Sequence, residues 1–77
     1  MEIDQTLREI LRAHGAPDGV GRAASLTKLG LDSIAIAEVL LAVEDRFSIR
    51  IAADFVAGEP LTFGRLADHV RALVASS

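Results

Sequence analysis

A chain of 77 residues has room for one modest hydrophobic core. The absence of cysteine excludes disulfides and thiolate zinc sites as staples, so helix packing must supply the stability. A net charge of −3 lacks the basic footprint that nucleic-acid binding needs. No uninterrupted apolar run approaches the roughly 18 residues of a membrane span, and Met1-Glu2-Ile3-Asp4 has neither the basic nor the apolar block of a signal peptide. The expectation is a single domain over residues 1–77: soluble, cytoplasmic, monomeric and without a membrane partner.

The first helix is expected from Ile3 to His14, where Ile3, Leu7, Ile10, Leu11 and His14 recur at steps of three and four. Gly15 and Pro17 stop it. Residues 15–31 then form a connection longer than the roughly 12–15 residues usual in compact domains, and such loops often serve a function. Val20, Leu26 and Leu29 should tether it to the core, with Ser25 or Thr27 capping a single turn.

A second helix is predicted over Ser33–Phe47. At about 100° per residue, Ile36, Val39, Leu40, Val43 and Phe47 form a stripe that belongs in the core. Ile34, Ala37 and Leu41 point the opposite way, flanked by Glu38, Glu44 and Asp45. An apolar strip with an acidic rim has the make-up of a protein-binding face, and its acidic residues would speed association with basic partners.

Ser48-Ile49-Arg50-Ile51 reads as an extended link with Ile49 and Ile51 on one side. A short third helix is expected at Ala52–Ala57, placing Phe55 and Val56 on the core, with Gly58 and Pro60 ending it. Thr62 should cap the last helix, in which Phe63, Leu66, Ala67, Val70, Leu73 and Val74 repeat at helical spacing to about Ala75. The fold class is therefore all-α: four helices, three longer and one short. His14 and His69 have no ligand partners at suitable spacing, so no metal site is expected. Arg8, Arg12, Arg22, Arg65 and Arg71 do not cluster and read as solvated. Gly64 costs about 1 kcal/mol relative to alanine inside a helix, which only a close approach to another helix would explain.

The chemistry concentrates at Asp32-Ser33. Unsatisfied N–H groups and the positive end of a helix dipole favour a negative group at the first turn, so a phosphodiester on the Ser33 hydroxyl would be well placed. Asp32 is positioned to cap the helix and to meet the metal or bases of a modifying enzyme. No histidine neighbours Ser33 to activate it. Any chemistry there must come from another protein, and no catalytic residue is assigned. Taken alone, the pair is better explained as an ordinary helix start.

The wider pattern separates the two readings. Leu29-Gly30-Leu31-Asp32-Ser33-Ile34, then Glu38, Val43-Glu44-Asp45, Phe47, Ile49, Ile51, Thr62-Phe63 and Leu66-Ala67, resembles the acyl carrier protein family from about Leu26 to Val74. The resemblance implies a four-helix bundle with 4′-phosphopantetheine, derived from coenzyme A, on Ser33, its thiol holding acyl or aminoacyl groups as thioesters. It also implies a phosphopantetheinyl transferase, an acyl- or aminoacyl-loading ligase or transferase, and synthase enzymes of fatty-acid or polyketide type as partners, which read the helix after the serine. Ala35 replaces the acidic or polar residue many fatty-acid carriers have two positions after the serine, and Ala52 replaces the proline common in the link. With Arg46 and Arg50 diluting the acidic surface, these departures point to a specialised carrier of secondary metabolism. Leu31 favours the acyl branch over peptidyl carriers, which more often have glycine there. The starting methionine and short Ala75-Ser76-Ser77 tail point to a free-standing carrier. The competing readings are an aminoacyl or peptidyl carrier loaded by an adenylating ligase, and a small helical adaptor with no prosthetic group. A helix-turn-helix DNA binder is disfavoured by the acidic exposed helix.

Overall fold

The computed structural model describes residues 2–17, 19–52, 55 and 61–76. Among them are three long helices, α1 (Glu2–Ala13), α2 (Ser33–Phe47) and α3 (Phe63–Ser76), and a 3₁₀ turn at Thr27–Leu29. Helix α1 packs on both α2 and α3. The all-α class is as expected. The short helix at Ala52–Ala57 falls largely outside the described residues; within it, Phe55 is helical and donates its N–H to the Ala52 carbonyl at 3.1 Å.

The periodicity placed the core faces correctly. Ile3, Leu7 and Leu11 of α1 are buried, as are Val39 and Val43 of α2 and Phe63, Leu66, Ala67 and Val70 of α3. Ile36, Leu40, Phe47, Ile49, Ile51, Phe55 and Val74 pack against this core at its edges. Helix α1 ends as its sequence directs: the Leu11 carbonyl accepts from both His14 and Ala16 N–H at 3.0 Å, and Gly15 takes φ +104°. Helix α2 ends on Ser48 in the left-handed region at φ 55°, with the Ser48 and Ile49 N–H groups both directed at the Glu44 carbonyl.

The long connection is sewn to the start of α3. Phe63 and Gly64 donate their N–H groups to the Ala24 and Arg22 carbonyls, and Leu26 donates to the Leu61 carbonyl, each at 2.9 Å. Ser25 and Thr62 form an isolated antiparallel bridge between these bonds. Ala16, Val20, Leu26 and Leu31 are buried, and Ala24 and Leu29 pack at the edge of the core, so the loop is tethered along its length. Thr62 is the α3 cap as expected, its hydroxyl accepting the Arg65 N–H at 3.1 Å. The 3₁₀ turn has no side-chain cap; the Ser25 and Thr27 hydroxyls instead bond each other at 2.8 Å.

Two expectations need correction. The arginines are not simply solvated: Arg8 donates twice to the Val20 carbonyl with its guanidinium 4.7 Å from the Phe63 ring centroid. Arg22 pairs with Asp68 at 2.7 Å, and Arg71 spans Asp4 and Asp68 at 2.9 and 3.2 Å. Arg65 donates to the Phe55 carbonyl and lies over the Phe55 ring, against which His69 stacks at 3.9 Å. Long-range partners such as these leave no trace in local spacing. Gly64, secondly, approaches the loop and not another helix. A Cβ at Gly64 would stand 2.9 Å from the Arg22 carbonyl oxygen, closer than real contacts allow.

Candidate functional site

The site begins where the loop becomes α2. Leu31 is buried and fixes the chain; Asp32 then adopts an extended conformation (φ −81°, ψ 179°) and turns its carboxylate onto the first turn. Its Oδ1 accepts the Ala35 N–H at 2.8 Å. Its own carbonyl accepts from Ile36 at 2.9 Å, the first bond of the helix. The N–H groups of Ser33 and Ile34 have no intrahelical carbonyl to meet, as at any helix start. Ser33 is exposed. Its hydroxyl therefore stands in water at the positive end of a 15-residue helix whose cap occupies the Ala35 N–H and leaves two earlier donors. A phosphodiester esterified to this oxygen fits: access is open, and the uncommitted N–H groups favour its charge.

Because the cap belongs to Asp32 and not to Ser33, the two residues separate experimentally. Asp32→Ala should destabilise the fold by about 1 kcal/mol, while Asp32→Asn, which keeps an acceptor, should restore most of the loss in urea melts.

The outward side of α2 carries an apolar strip. Ile34 and Leu41 are 70% and 64% exposed, the large apolar side chains most open to solvent among the described residues. Ala37, Glu38 and Asp45 are exposed beside them. Glu44 is different: it is half-buried, and its Oε2 accepts the Ile51 N–H at 2.7 Å. This carboxylate ties the link to α2, a use that the helical wheel alone could not show because the partner lies seven residues downstream.

A family model described as "Phosphopantetheine attachment site" matches residues 2–70. The chain belongs to this family. The attachment-site family carries 4′-phosphopantetheine covalently, so the chain is a phosphopantetheine-bearing carrier domain, and such domains are not themselves catalytic. The acyl-carrier resemblance read from the pattern between about Leu26 and Val74 is borne out at the level of this family. No curated protein matches the chain. Among the described residues of this carrier domain, no helix is long and apolar enough to cross a membrane.

Proposed function

We propose that Ser33 is the residue bearing the arm and that the chain is an acyl carrier protein of a specialised fatty-acid or polyketide pathway. The observation that carries this reading is the exposed Ser33 hydroxyl at the start of α2, next to a self-sufficient cap, in a phosphopantetheine attachment domain. When bound, the arm supplies a terminal thiol that holds acyl cargo as a thioester. The chain's own contribution is to hold the arm's root still and to offer a surface beside it. Asp32 fixes the first turn, and the buried Leu31 holds the approach to it. The acyl assignment leans on likeness alone: Leu31 stands where peptidyl carriers more often have glycine.

Ile34, Ala37 and Leu41, with Glu38 and Asp45 at their edge, are the surface by which the priming transferase, the loading enzyme and the synthases would recognise the carrier. Glu44 would contribute only through the oxygen that does not hold Ile51. Intact mass after incubation with a phosphopantetheinyl transferase and coenzyme A tests the reading: one phosphopantetheinyl group should be gained. Loading of the primed protein with acyl chains but not amino acids would then support the acyl assignment; loading by an adenylating ligase with an amino acid would replace it with the aminoacyl one.

The strip makes its own prediction. Leu41→Ala removes a side chain that faces water, so its stability cost should stay within about 0.5 kcal/mol. Transfer of cargo to partner enzymes should fall several-fold, as for truncation of an apolar contact at an interface. A melting-temperature drop of many degrees would mean that Leu41 serves the fold and not the partners.

A further inference from the structure

Of the eight lysine and arginine residues, only Lys28 is a lysine, so it holds the chain's one side-chain amine. Lys28 is exposed on the 3₁₀ turn Thr27–Leu29, and its ammonium has no ion-pair or hydrogen-bond partner among the described residues. The turn itself is well held. Leu26 and Leu31 are buried on either side of it, the Lys28 N–H bonds the Ser25 carbonyl at 3.0 Å, and Gly30 reverses the chain at φ +92°. Ser33 lies five positions after Lys28, so their Cα atoms are no more than about 18 Å apart even if the chain between them were fully extended. An arm of some fifteen bonds spans about the same distance, and the lysine side chain adds to the reach.

We infer that Lys28 is an internal acyl acceptor, taking cargo from the arm onto its own Nζ when no partner collects it. The inference rests on the reading of Ser33 as the arm's root and of the cargo as acyl. The neutral amine attacks the thioester carbonyl carbon; the C–N bond forms and the C–S bond breaks. The sulfur departs as thiolate and takes up the proton lost by nitrogen, so no oxidant, reductant or co-reactant is required. The product amide is more stable than the thioester, which makes the transfer one-way. The arm holds its cargo near Lys28 at an effective concentration of about millimolar. The arginines offer no rival, because a guanidinium stays protonated and is not nucleophilic. Acylation also erases the positive charge of Lys28, a short way along the chain from the docking helix, so a stalled carrier would present an altered surface to its next partner.

The experiment loads the full chain with an acetylated arm, using a phosphopantetheinyl transferase and acetyl-coenzyme A, and then removes free donor. The protein is held at mildly alkaline pH, treated with hydroxylamine to release thioesters but not amides, and digested with trypsin, which cannot cut after an acylated lysine. A hydroxylamine-resistant acetyl group should accumulate on an uncut peptide spanning Lys28, at a rate independent of protein concentration, and should be absent from Lys28→Arg. The Ser33→Ala protein given about 0.1 mM free acetyl-coenzyme A should acquire that group about tenfold more slowly. Loading at Ser33 without a mark on Lys28, or a mark whose rate rises with protein concentration, overturns this inference alone. Failure of the wild-type protein to load at all overturns the carrier reading and this inference with it.

Discussion

Ser33→Ala is expected to abolish phosphopantetheinylation while leaving the fold intact. The two halves of this expectation have separate causes. The hydroxyl is the only part of residue 33 the proposed attachment uses, so its removal leaves nothing to esterify and the intact mass should not change on treatment with transferase and coenzyme A. The fold, meanwhile, asks little of that hydroxyl. The cap bond to the Ala35 N–H comes from Asp32, and Ser33 is exposed in the first turn. Alanine is the better helix former by roughly half a kcal/mol, so the melting temperature should hold or rise slightly. Equal modification of the variant would move the attachment to another hydroxyl and end the assignment of Ser33.

Gly64→Ala should have the largest effect on stability, and with the opposite sign to helix propensity. At an ordinary interior helix position the change gains about 1 kcal/mol. Here the new Cβ would lie 2.9 Å from the Arg22 carbonyl oxygen and 3.2 Å from the Arg22 Cβ. The nearest atom is backbone, held in place by its bond from the Gly64 N–H. The loop must therefore withdraw, at an overpacking cost of about 1–3 kcal/mol, and the Arg22–Gly64 hydrogen bond is stretched, losing about 1 kcal/mol more. Set against the propensity gain, the net loss of about 1–3 kcal/mol should lower the melting temperature by about 4–24 °C for a domain of this size. Arg22→Ala should not rescue the variant, since the closest contact is with the carbonyl. A melting temperature equal to or above the wild type would show that the loop yields freely at this point.

The two predictions also mark what could be read from sequence and what could not. The three long helices, their core faces and the outward strip of Ile34 and Leu41 follow from spacing along one helix, a local property. The Asp32 and Thr62 caps follow from residue chemistry within one turn. The start of α2 and its serine were legible for the same reason, and the match over residues 2–70 supports the family that the Leu29–Ile34 stretch resembles. The fastening of the loop was not legible, because its bonds join residues about forty positions apart and use backbone atoms common to every residue. Gly64 was the one visible sign, a helix-weakening residue with no local reason. The arginine partners are hidden from local spacing likewise: Arg8 to Val20, Arg22 to Asp68 and Arg71 to Asp4 link segments brought together only by folding. Glu44 reads as surface from its helical position at the edge of the core, where a carboxylate can turn either way.

Because the loop is fastened by main-chain bonds from Leu26, Phe63 and Gly64, and among its described outward side chains Arg22 alone is paired to α3, through Asp68, most of those side chains are not needed to hold it. Ala23, Thr27 and Lys28 all face solvent on this fixed backbone. Evolution can therefore rewrite the lettering ahead of α2 without loosening the scaffold on which that lettering is displayed.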